Sequence, residues 1–131
     1  MRLKKYDQAI NKFHDAIKYS KRDMPDIYNN LGICLMEKGR PVEAIDAFRK
    51  VISLTPYSAE ARDNLGMGLL KAGQSDEAIL RLKEAIRLND KYAKAYYHLY
   101  LGLDSKGCKN EAIVYFNKAQ QLQPELKMES K

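Results

Sequence analysis

Two cysteines and two histidines are the first candidates for chemistry in this chain, and their spacing denies them most of it. Cys34 and Cys108 stand 74 residues apart without a CxxC pair, and His14 and His98 form neither an HExxH nor a His-x3-His pair, the spacings by which such side chains grip zinc. No cofactor, structural metal or disulfide framework is therefore expected. The stretch Leu-Gly-Met-Gly-Leu-Leu at 65–70 is rich in glycine, but no Lys-Ser/Thr follows it to hold a phosphate. A nucleophilic cysteine needs a base beside it; Cys108 has none nearby, and Cys34 falls in an apolar pattern where a small buried hydrophobe suffices. His98 can titrate near neutral pH, yet a hydrogen-bonding or packing role is the simpler expectation. No catalytic residue is expected, and the chain reads as a non-enzyme.

What positions these side chains is a soluble, helix-rich chain. Its 131 residues are 45% hydrophobic and 31% charged, the composition of one globular domain rather than a disordered or membrane-spanning chain. Only 7 Gly and 4 Pro interrupt it, too few for the many turns of an all-β sandwich. The net charge is +6, and seven basic residues (Arg2, Lys4, Lys5, Lys12, Lys18, Lys21, Arg22) lie in the first 22 positions. Elsewhere the signs interleave, as on a solvated face. The N-terminus offers no signal-peptide stretch, and no run approaches the ~20 apolar residues of a membrane span. A cytoplasmic setting is expected, unless the chain is cut from a larger exported or anchored protein.

Periodicity decides the fold. Gly39, Gly73 and Gly107 are 34 residues apart, as are Ala44, Ala78 and Ala112. Tyr28-x2-Leu31-Gly32-x2-Leu35 recurs as Arg62-x2-Leu65-Gly66-x2-Leu69 and as Tyr96-x2-Leu99-Tyr100-x2-Leu103. Behind each glycine come Ala44-x3-Phe48-x2-Val51, Ala78-x3-Leu82-x2-Ala85 and Ala112-x3-Phe116-x2-Ala119, and then Pro56, Asp90 and Pro124. Each unit thus holds two apolar patterns of helical spacing, parted by a glycine able to end a helix. Pro41 suits a first helical turn, and Ser58 and Ser75 are placed to cap the helices after them. Gly32 against Ala44 and Gly66 against Ala78 should let paired helices approach closely. Ala9-x3-Phe13-x2-Ala16 repeats the second half of the pattern at an offset of 35.

This pattern resembles the tetratricopeptide repeat. The resemblance implies an all-α fold: an α-solenoid of antiparallel helix pairs wound into a right-handed superhelix, with about seven helices. Residues 1–24 would be an N-terminal half repeat, 25–58, 59–92 and 93–126 three full repeats, and 127–131 a frayed tail, all in one domain. Arg62 replaces the family's usual aromatic, with an aliphatic stem that can still pack. Tyr100 sits where a small residue is usual, and should force the last helix pair apart or turn outward.

In this family the inner helices line a groove, and ligand-facing residues recur at fixed places in each repeat. Mapped here, the sixth places are Asn30, Asn64 and His98, and the ninth are Ile33, Met67 and Leu101. A row of carboxamides can both donate to and accept from a peptide backbone. Met36 and Leu70 extend the apolar row, while Asn29, Glu37, Asp63, Lys71, Lys94, Tyr97 and Asp104 supply polar groups. The clamp by which chaperone-binding members hold a C-terminal carboxylate is not expected. Asn64 and Lys94 fit it, but Asn29, Ile33 and His98 stand where lysine, asparagine and arginine are needed. The expected partner is a protein or peptide, with a homo-oligomer through the open half repeat as the alternative. A helical-repeat RNA binder is weaker still, because no aromatic or Arg-rich row follows the repeats, so no nucleic-acid partner and no membrane insertion are expected.

Overall fold

The computed structural model describes residues 2–19 and 24–128. Among these residues it holds seven helices and no strand: α1 (Arg2–Tyr19), α2 (Pro25–Glu37), α3 (Pro41–Leu54), α4 (Ala59–Lys71), α5 (Ser75–Leu88), α6 (Ala93–Ser105) and α7 (Lys109–Leu122). Lys21 and Arg22 of the basic leader, and the side chains of Arg2 and Lys4, lie outside the described residues.

The helix ends follow from the residues at them. Gly39, Gly73 and Gly107 take φ of 83°, 80° and 81°, left-handed values that a side chain would strain. The residue after each glycine donates its N–H back across the turn, Arg40 to Leu35 at 2.8 Å, Gln74 to Leu69 at 2.8 Å and Cys108 to Leu103 at 2.9 Å. These bonds satisfy carbonyls that the helix end leaves without partners. Pro41 opens α3 as its first helical residue. Ser58 caps α4, its hydroxyl accepting from the Ala61 N–H at 3.1 Å. Ser75 departs from expectation: it is the first residue of α5, Gln74 holds the cap position, and the Ser75 hydroxyl faces that of Ser105 at 3.4 Å.

Within a pair, the close approach is made by a large side chain on a glycine. A Cβ placed on Gly32 would come within 2.5 Å of the Phe48 ring, and one on Gly66 within 2.6 Å of Leu82. So Phe48 and Leu82 occupy the glycine hollows themselves, rather than Ala44 and Ala78 as the spacing suggests. In the third pair Tyr100 neither turns outward nor loosens the packing. It is buried, its ring 5.2 Å from that of Phe116 in an edge-on contact, and α6 and α7 are as closely apposed as the other pairs. Edge-to-face aromatic contacts of this kind are favourable.

The stack curves because its two kinds of helix are unequally spaced. Among the described residues α2 meets α4 and α4 meets α6, whereas α1, α3, α5 and α7 make no contact with one another. The first helices of each pair therefore converge on the concave side, and the second helices splay over the convex side. Ala44, Phe48 and Val51 of α3 are buried, as are their counterparts in α5 and α7. Ala9, Phe13 and Ala16 of α1 are only half-buried.

Gly32→Ala should destabilise the chain, because overpacking against Phe48 costs about 1–3 kcal/mol and outweighs the helix-propensity gain of up to about 1 kcal/mol. Urea unfolding should show a net loss of about 1–2 kcal/mol; an equal or higher midpoint would mean that the Phe48 ring moves aside freely.

Candidate functional site

The concave side is built from α2, α4 and α6, so the residues expected in a groove lie on three neighbouring helices. Asn30, Ile33, Lys71 and Lys94 are exposed, Ile33 at 39%. Asn29, Asn64, Met67, Tyr97, His98 and Leu101 are half-buried, as is Met36, which packs against the core of α3 and α4. Leu70 lies between the two larger core clusters, Leu101 packs on the second of them, and Glu37 stays exposed. Asp104 accepts from Lys109 Nζ at 3.1 Å.

Several of these polar groups answer one another across successive repeats. Asn64 Nδ2 donates to Asn29 Oδ1 at 2.8 Å, and His98 Nδ1 donates to Asp63 Oδ1 at 2.7 Å. Each contact joins residues 35 apart, the fifth place of one repeat to the sixth of the next. The two bonds form a polar ladder between inner helices where they converge. Asp63 is only 1% exposed, so its carboxylate is engaged by His98 instead of being presented to solvent. Burial raises the Tyr92 phenol to about 12, with the nearby Asp63 and Glu60 carboxylates adding to the effect; a second negative charge beside them is disfavoured.

At the C-terminal end of the groove, Asp63, Asn64, Lys94, Tyr97 and His98 line one cavity of about 290 Å³. Gln123 and Leu126 close it. Neither stands out in the sequence, since both lie beyond the last helix. Their signal is positional: they are 34 residues past Asn89 and Tyr92, in the segment that returns from each second helix toward the first. The cavity offers an ammonium, two amides and an aromatic wall, which suits hydrogen bonding and charge pairing with a ligand more than bond-making chemistry.

Among the described residues no cluster of three His, Cys, Asp or Glu side chains could hold a metal ion. Cys34 is half-buried with its thiol pKa raised by burial and by Glu37, the opposite of what activates a nucleophile. Cys108 is exposed. No helix is long and apolar enough to cross a membrane.

Models of the tetratricopeptide repeat match residues 23–91 and 64–125. The chain belongs to the tetratricopeptide repeat family, whose members are generally non-enzymatic interaction modules. Among solved structures it is similar to MamA, at 34% identity over 91% of this chain and 69% of that one, with a TM-score of 0.82. YrrB, described as a TPR protein with an unusual peptide-binding site, is 24% identical over 93% of this chain and 62% of its own, at a TM-score of 0.83. MamA from residue 41 to its end, from Desulfovibrio magneticus RS-1, is 20% identical over 97% and 71%, at 0.84. These last two likenesses concern the fold alone. No curated protein matches the sequence.

Two predictions follow from the buried ladder. His98→Ala leaves Asp63 without its donor, and losing the partner of a buried polar group costs about 1–3 kcal/mol, measurable by urea unfolding; unchanged stability would place Asp63 in water. Tyr92 ionises near 10 when unfolded and at about 12 when folded. Its contribution to stability is therefore complete below pH 10 and is lost as pH rises from 10 to 12. Tyr92→Phe should flatten the fall in stability over that window, and an identical alkaline profile would contradict the burial of this phenol.

Proposed function

We propose that this chain is a non-enzymatic scaffold that holds a partner protein, as an extended peptide or a helix, in the concave groove of its repeats. The observation that carries this reading is the exposed row formed by Asn30 and Ile33 on α2 and Lys71 on α4, running toward the cavity at Lys94 and Tyr97. Asn30 keeps a solvent-facing carboxamide that can grip a peptide backbone. Ile33, Met67 and Leu101 give an apolar track beside it, and methionine adapts to varied ligand shapes. The polar ladder divides the labour: Asn29, Asp63 and the Asn64 amide hold the helices, which leaves Asn30, Lys71 and Lys94 for the partner. YrrB supports the reading to the extent that the same fold is described there with a peptide site. We assign residues 25–58, 59–92 and 93–126 as the three repeats and α1 as a half repeat.

A second reading rests on α1. Ala9, Phe13 and Ala16 are half-buried where their counterparts in α3, α5 and α7 are buried, so this face accommodates one more helix. A second copy of the chain or a further stretch of repeat would fill it. Light scattering across a concentration range distinguishes the two, because only self-association makes the mass rise with concentration.

The test of the groove is a pull-down with mass spectrometry, followed by titration of a peptide from the top partner. Asn30→Ala combined with Lys71→Ala alters exposed side chains and should weaken binding about tenfold, or about 1.4 kcal/mol. Tyr57→Ala, at a residue 88% exposed outside the groove, should leave it unchanged. Equal affinity of the groove double variant and the wild type would exclude this surface.

A further inference from the structure

The convex side repeats as strictly as the concave one, and comparing equivalent positions there exposes a gap. Between the splayed helices α3 and α5, an ion-pair chain fills the surface. Arg49 meets Glu77 at 3.0 Å, Arg81 meets Glu84 at 3.0 Å and Glu77 at 3.9 Å, and Arg62 meets Glu84 at 3.3 Å. Arg81 is the centre of this chain. Thirty-four residues on, the equivalent of Arg81 is Tyr115, and its ring stacks on Tyr96 with centroids 6.4 Å apart. Thirty-four residues earlier the equivalent is Ala47.

Ala47 cannot reach across, and a cavity of about 390 Å³ opens between α1 and α3. Its lining is the same set of positions with other side chains. His14 stands where Arg49 does, Glu43 where Glu77 does, Lys50 where Glu84 does and Tyr28 where Arg62 does. Ile17, Leu31 and Leu35 make an apolar floor. The rim carries two carboxylates, Glu43 and Asp46, against one ammonium, and the Lys50 Nζ lies 5.8 Å from the centre of the Tyr28 ring. On a chain of net charge +6 this is a locally acidic mouth over an apolar floor. Glu43 already binds a guanidinium from outside its own turn, since Arg40 Nε donates to its Oε1 at 2.7 Å, and that bond holds its carboxyl below the usual range.

We propose that this cavity is a second recognition site, on the convex face, that receives an arginine side chain from a partner protein. The incoming stem would lie on Ile17 and Leu31 and the guanidinium would reach Glu43 and Asp46, as Arg81 reaches Glu77 and Glu84 in the next repeat. An arginine fits better than a lysine because a planar, weakly hydrated fork can bridge two carboxylates while its stem stays on apolar surface. The tyrosine solution of the third gap is disfavoured here, since a phenol leaves both carboxylates unpaired. The site is separate from the groove and stands or falls independently of it.

The probe is N-acetyl-arginine methylamide, titrated into the isotopically labelled chain and followed by amide chemical shifts, beside the lysine, tyrosine and leucine analogues. Shifts should concentrate at His14, Ile17, Tyr28, Asp46 and Ala47, with the arginine probe binding about fivefold more tightly than the lysine one. Ala47→Arg should abolish the response while raising the melting temperature, since the chain then fills its own gap. Glu43→Gln with Asp46→Asn, at exposed positions, should weaken the arginine response about threefold without loss of fold. Equal binding of arginine and lysine would reduce the site to nonspecific attraction, and tighter binding of the tyrosine or leucine probe would assign it to an apolar occupant. Either result overturns the proposal, as does a response that persists in Ala47→Arg or centres on other residues.

Discussion

Each helix pair is held by one large side chain seated in the hollow of a residue with no side chain. Phe48 on Gly32 and Leu82 on Gly66 leave no room for even a Cβ. That contact sets how near the two helices lie, and the nearness exposes to the next pair a flat apolar face that it cannot bury alone. Stacking follows, because a lone pair would leave that face in water. The third pair satisfies the same need with the sizes changed. Tyr100 replaces the glycine, and Phe116 meets its ring edge-on instead of entering a hollow. What the fold requires is a filled space between the helices, and glycine with a large partner is one of two ways this chain fills it.

Curvature makes the two faces chemically unlike. On the concave side the inner helices are near enough for Asn64 to reach Asn29 and for His98 to reach Asp63, so polar side chains there serve partly as cross-braces. On the convex side the helices are too far apart for backbone contact, and only long side chains bridge them. Arg81 does so with charge and Tyr115 with an aromatic stack. The bridging is imperfect even where it occurs: Arg81 Nε is buried without a hydrogen-bond acceptor, a cost that the two carboxylates on its other nitrogens must offset.

Helix number, helix ends and repeat spacing were legible in the sequence because they depend on local backbone needs. Gly39, Gly73 and Gly107 end helices by adopting a conformation other residues resist, and that need is visible one residue at a time. Partner choice was less legible. The spacing paired Gly32 with Ala44, but the hollow is filled by Phe48, one turn further along, because a hollow selects volume and spacing alone does not report volume. Ser75 looked like a cap and is the first helical residue, since the turn bonds after Gly73 already place Gln74 at that position. Asp63 looked like a ligand-facing carboxylate; its burial depends on Tyr92 and His98, from a different loop and a different helix, and no local pattern carries that. Gln123 and Leu126 became visible only once the segment after α7 was seen to return to the groove.

The repeat supplies its own control for reading such a surface. Equivalent positions share backbone surroundings, so a difference in side chain alone accounts for a difference in shape. At 47, 81 and 115 the chain carries alanine, arginine and tyrosine, and only the alanine leaves a cavity with an apolar floor among these three gaps. A surface that two repeats fill from within and one leaves open is a place where an outside side chain meets no competitor. The same comparison on the concave side separates braces from ligand-facing groups. Asn64 is spent on Asn29, while Asn30, its equivalent one repeat earlier, has no inner helix before it to brace against and remains exposed. Position within the stack, more than residue type, decides which amide is available to a partner.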